Sequence, residues 1–136
     1  MNSIQGFGIA WLALAGALAL HVIDEALTDF MGAYHRALPA LRARFPFLPI
    51  PALTFSRWLA GLCLAILVLV ALSPLAFLGS RWLLYASYPL AVLMFLNGLG
   101  HLAVSLHLRR LVPGVYSSPL LMAASVWLFL SVFSQA

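Results

Sequence analysis

Between Trp58 and Leu78 the chain runs for 21 residues without one charged side chain. A helix rises about 1.5 Å per residue, so about 20 apolar residues cross a hydrocarbon core roughly 30 Å thick. Three more segments have this character. The first runs from about Phe7 to Phe30 and turns polar in its last third. Another runs from Trp82 to Leu108 and is interrupted by Pro89, Asn97 and His101. The last runs from about Val115 to Phe133. No segment alternates as a barrel strand would, and a backbone in lipid must satisfy its polar groups internally, so the spans are predicted to be helices. The expectation is an all-α polytopic membrane protein, a four-transmembrane-helix bundle forming one integral membrane domain over residues 1–136. Composition agrees: 65% of the 136 residues are hydrophobic and 7% charged, against about 25% charged in soluble domains. Ten charged groups cannot cover a soluble surface of this size.

The connections predict how the spans are arranged. Residues 31–57 hold Pro39, Pro46, Pro49 and Pro51 together with Tyr34, Phe45, Phe47 and Phe55. Proline at that density breaks long helices, and aromatics with arginine favour the headgroup level. This stretch is therefore read as an interfacial connection, where His35 meets headgroups and Asp29 pairs with Arg36. His107, beside Arg109 and Arg110, is read as interfacial too. The last span is the weakest: Ser118 as N-cap and Pro119 at the first helical position start it late. All seven basic residues are arginine. Arg36, Arg42, Arg44, Arg57, Arg109 and Arg110 lie on the first and third connections, against Arg81 alone on the second. Positive charge marks the cytoplasmic side, which predicts both termini outside. The Arg-only, Ala/Leu-rich usage suggests a bacterial cytoplasmic membrane. No positive charge precedes the first apolar run, so it is read as a retained span rather than a signal peptide. The arginines form no patch for nucleic acid, and the single cysteine, Cys63, is read as a packing residue.

The acids are confined. Asp24, Glu25 and Asp29 all lie within six residues, just after His21. Ionisable groups in a span are costly and face partners inside the bundle. On a helix, positions 21, 24, 25 and 28 share a face, which predicts that His21, Asp24, Glu25 and Thr28 point together, in line with Ala17 and Ala13. In the third segment Asn97, His101 and Ser105 are spaced by four, flanked by Gly98 and Gly100. Counted from the polar ends of their spans, His21 and His101 lie at one depth. Two chemistries suit such a set. His21, Glu25 and His101 can ligate a divalent metal, zinc or iron, with Asp24 as ligand or support and an open position left over. Alternatively, the imidazoles and carboxylates act as acid and base without metal.

The run His21-Val22-Ile23-Asp24-Glu25 resembles the signature of the HXXEE-domain membrane proteins, with Asp24 in place of the first glutamate. His101 is similar to that family's second histidine. Leu111-Val112-Pro113-Gly114 resembles its Tyr-x-Pro-Gly turn, with Leu111 in place of tyrosine. The resemblance covers about Trp11 to Leu121 and implies a common site without assigning a reaction. The leading functional expectation is a small membrane-embedded enzyme acting on an apolar or lipid-like substrate. His21, Asp24, Glu25, Asn97 and His101 would carry or support the chemistry, with membrane lipids as surroundings. A structural membrane subunit, or a metal or proton-relay carrier built on the same cluster, is the alternative.

Overall fold

A computed structural model describes residues 3–133 and, among them, helices without strands. In chain order they are α1 (Ser3–Leu27), α2 (Phe30–Arg44), α3 (Phe55–Ala71), α4 (Ser73–Phe77), α5 (Arg81–Leu108) and α6 (Ser118–Phe133). α3 and α4 form one broken rod, Phe55–Phe77. This rod, α1 and α5 are each long and apolar enough to cross a membrane. α6 has 16 residues and is about 24 Å long at 1.5 Å per residue. The tail 134–136, read as lacking positive charge, lies outside the described residues.

α1 is the central helix: 56% of its most apolar stretch is buried, against 11% in each of the other two long elements. Phe7, Ala10, Trp11, Leu14, Ala17, Leu18 and His21 form its inward side, the three-and-four spacing of one helix face. α6 packs on one flank of α1 and also against α5, while α3 and α4 take the other flank. The α5–α6 contact depends on Gly98. A Cβ there would stand 2.8 Å from Met122 Cγ and 3.0 Å from the Ser118 carbonyl oxygen, so only glycine lets the two helices come this close.

The break in the second rod lies at Ser73-Pro74. Pro74 has no N–H for the carbonyl of Val70. Ser73 Oγ donates to that oxygen at 2.7 Å, and Trp11 Nε1 of α1 donates to the carbonyl of Leu69 at 2.7 Å. Side chains thus satisfy backbone groups at the break, as an apolar surrounding demands.

Three expectations change. The first apolar segment stops at Leu27, not near Phe30. Asp29, in the left-handed region at φ 59°, then starts a new helix by accepting from the Gly32 N–H. The proline-rich connection, where prolines are expected to break any long helix, holds one of about four turns. α2 runs for 15 residues with Pro39 inside it, and only Pro46, Pro49 and Pro51 fall beyond its end. Pro39 is exposed, so the carbonyl it leaves free can be hydrated. The segment after α2 folds back onto it, because Tyr34 Oη, His35 Nε2 and Arg42 donate to the carbonyls of Pro51, Leu53 and Ile50. His35 is thereby engaged by the protein's own backbone. Third, Ser118 is not the cap of α6. The Ser117 carbonyl accepts the first helical bond, from Leu121 N–H, and the Ser118 hydroxyl donates to the Gly114 carbonyl. The expected Asp29–Arg36 pair is present at 3.6 Å, with both side chains 71% exposed.

Candidate metal centre

α1 presents His21 and Glu25 one turn apart on its buried face, at 0% and 5% exposure. α5 brings His101 to the same depth. His101 Nε2 lies 3.1 Å from Glu25 Oε1, and His21 Nε2 lies 3.7 Å from that same oxygen. The two imidazoles meet edge to face with ring centres 4.9 Å apart. One ligand-type atom from each of the three residues lies within 4.8 Å of the others.

The spacing suits a metal. Ligands about 2.0–2.1 Å from a tetrahedral zinc lie roughly 3.3 Å from one another; the two edges from Glu25 Oε1 fall on either side of that value, and the three atoms together lie within 4.8 Å, so a cation would draw the imidazoles closer. The stronger observation is chemical. His21 Nε2 is fully buried and has no hydrogen-bond partner among the described residues, whereas buried polar atoms are nearly always paired. Its other nitrogen, Nδ1, lies 2.9 Å from Ser117 Oγ.

Ser117 decides the tautomer. Asp24 Oδ2 accepts from both Ser117 N–H, at 2.9 Å, and Ser117 Oγ, at 2.8 Å. A hydroxyl has one proton. With that proton donated in a hydrogen bond to the Asp24 carboxylate, Ser117 Oγ is left as an acceptor toward His21 and His21 Nδ1 must be the donor. A neutral imidazole protonated on Nδ1 carries its lone pair on Nε2, the atom facing Glu25. The sequence Asp24–Ser117–His21 is therefore a carboxylate-to-histidine relay with a hydroxyl inserted, the kind of support that orients metal-ligating histidines.

The remaining walls come from three places. Gly114, at φ +82°, turns the chain against the cluster. A Cβ there would lie 2.9 Å from His101 Cε1 and 3.0 Å from Glu25 Cγ. Phe30, the first residue of α2, stacks on Trp58 and stands 6.1 Å from the His101 ring. On the outer side of His101 a cavity of about 450 Å³ opens between α2 and α5, lined in part by Asn97 and Gly100.

The three metal-ligand candidates thus come together. Asp24 does not join them, because its carboxylate turns to Ser117. Thr28 does not either, since its hydroxyl donates to the Asp24 carbonyl in the last turn of α1. Asn97 lines the cavity one turn from His101. Ser105, the third residue of that stripe, donates to the Arg110 carbonyl and accepts from Val112 N–H, tying down the turn that leads to Gly114. Sequence reasoning passed over Ser117. Its signal was the Ser117-Ser118 pair near the start of the last apolar run, where either serine could start the helix.

A family model described as a protein of unknown function with an HXXEE motif matches residues 11–128. No curated protein and no solved structure matches the chain. The match spans most of the chain and contains His21, Glu25, His101 and the Pro113-Gly114 turn, and the chain belongs to the HXXEE family.

Proposed function

We propose that this protein is an integral membrane protein of four spans that holds one divalent cation, zinc or iron, between His21, Glu25 and His101. We read it as a membrane-embedded enzyme acting on an apolar, lipid-like substrate. The observation that carries the reading is the buried, unpartnered Nε2 of His21, whose lone pair faces a carboxylate and a second imidazole. The membrane setting is supported by the outward faces of the long helices. Leu64, Leu67, Leu93, Leu96 and Leu106 are all more than half exposed, an apolar area that water would not tolerate on a monomer. The fourth span, α6, is short and is flanked by its longer neighbours α1 and α5. Arginine placement puts the α2 side in the cytoplasm.

A cation held by two imidazoles and a carboxylate supplies Lewis-acid polarisation of an oxygen on a bound molecule. The chain's own residues do the rest. Glu25 reaches both histidines with one oxygen. Asp24 and Ser117 hold the His21 ring and its proton. Phe30 and the Gly114 turn close the cluster on two sides, and the cavity between α2 and α5 leaves His101 approachable. A metal-free reading uses the 3.1 Å Glu25–His101 pair as proton acceptor and donor.

Metal analysis of detergent-purified protein, prepared without chelator and supplied with zinc or iron(II), decides between them. About one equivalent in the wild type and its loss in His21→Ala and Glu25→Ala supports the metal centre. A folded wild type that takes up neither cation refutes it and leaves the acid–base pair.

A further inference from the structure

We propose that the cavity between α2 and α5 binds one single-chain amphiphile with an anionic head, a long-chain carboxylate. Its charge lies on Arg110 and its chain runs beside His101. The inference deepens the reading of His101 as part of a reactive site, and it rests on that reading only for what the bound molecule is for.

The walls are apolar along most of their length, with Phe30, Ala33 and Ala37 from α2 facing Leu96, Val104 and Leu108 from α5. Leu96 and Leu108 are also exposed at the surface, so a chain can enter sideways from lipid. The cavity holds about 450 Å³. That space accommodates an acyl chain lying along the walls, with its far end free to extend into lipid past Leu96 and Leu108.

One full charge lines this apolar space, Arg110. The chain has three acids, and all are committed elsewhere: Glu25 to His101, Asp24 to Ser117, Asp29 to Arg36. None of them neutralises Arg110. Its backbone is held on both sides, because Arg110 N–H donates to the Ser105 carbonyl and Ser105 Oγ donates to the Arg110 carbonyl. Arg109, in the left-handed region at φ 50°, ends α5 and turns the chain so that Arg110 is the arginine on the cavity wall. A planar guanidinium is the side chain best suited to a carboxylate.

The test uses the full-length protein in nanodiscs of phosphatidylcholine, with a palmitic acid analogue bearing a diazirine in its chain. Crosslinks are mapped by mass spectrometry. Labelling is expected on α2 and α5 residues of the cavity. Palmitic acid should compete at least about tenfold better than the neutral alcohol of equal length, and Arg110→Gln should cut labelling by about tenfold. Arg109→Gln, which removes the same charge next door, should leave it unchanged. The proposal is overturned by equal competition from the alcohol, by unchanged labelling of Arg110→Gln, or by crosslinks confined to other faces. Metal content measured alongside keeps the two readings apart. A protein that labels as expected but takes up no metal refutes the metal centre alone, and one that takes up metal but does not label refutes the amphiphile site alone.

Discussion

Replacing Ser117 by alanine tests the logic of the metal centre more sharply than replacing a ligand. Ser117 touches no metal in the proposed arrangement; besides holding Asp24, it bears on the centre through His21, by a 2.9 Å contact to Nδ1. Without its hydroxyl, His21 Nδ1–H keeps its burial and loses its acceptor. A buried donor left unmade costs about 1–3 kcal/mol. The ring escapes that cost by turning away from Glu25 or by shifting its proton to Nε2, where it faces the Glu25 carboxylate, and both take the Nε2 lone pair from the centre. Either way metal affinity falls, by about 10–100-fold if the relay works as such supports usually do, which is about 1.4–2.7 kcal/mol. The fold should survive, because Asp24 still accepts from the residue 117 backbone N–H at 2.9 Å and keeps the start of α6 tethered. The assay is competition for zinc against a chromophoric chelator in detergent, with thermal melting of the metal-free protein in parallel. Ser117→Thr, which retains a hydroxyl, should restore most of the affinity. An affinity within twofold of wild type, with the fold intact, refutes the tautomer argument. So does a loss that Thr fails to restore while the apo melting temperature is unchanged.

Two further substitutions probe how the centre is walled and how its helices meet. Gly114→Ala places a Cβ about 3 Å from His101 and Glu25 in a backbone conformation that alanine resists; it should cost about 1–3 kcal/mol in thermal stability and weaken metal binding, read from the same melting and chelator assays. Gly98→Leu forces α5 away from α6. Met122 can move aside but the Ser118 carbonyl oxygen, 3.0 Å from the new Cβ, cannot. A loss of about 1–3 kcal/mol should appear as a lower melting temperature, whereas Gly100→Leu, where no atom lies within 4 Å of the Cβ position, should be far milder.

Much of this protein was legible one residue at a time. Charge-free runs dictate helices because an apolar surrounding leaves the backbone no other partner. The i, i+4 spacing of His21 and Glu25 puts them on one face by helix geometry alone, and counting from the polar ends of two segments levels His101 with them. What depended on chain-distant contacts was not legible. α2 persists through Pro39 because that residue is exposed, and the chain after it returns to bond with Tyr34, His35 and Arg42. The sequence reads Asp24 as a ligand or support, since it shares a helix face with His21 and Glu25. Its direction was decided by Ser117, 93 residues away, which offers it two donors at once.

The division has a physical basis. Sequence by itself determined the apolar helices and the shared inward face of His21 and Glu25, because hydrophobic periodicity and helix pitch are local. Only the tertiary structure decided the roles within that set. It set His21 Nδ1 against a serine whose hydroxyl already donates its hydrogen bond to Asp24, left Nε2 bare, and put an unneutralised Arg110 on the wall of an apolar cavity. Hydrogen-bond direction and charge balance depend on which groups meet, and here the groups that meet come from opposite ends of the chain.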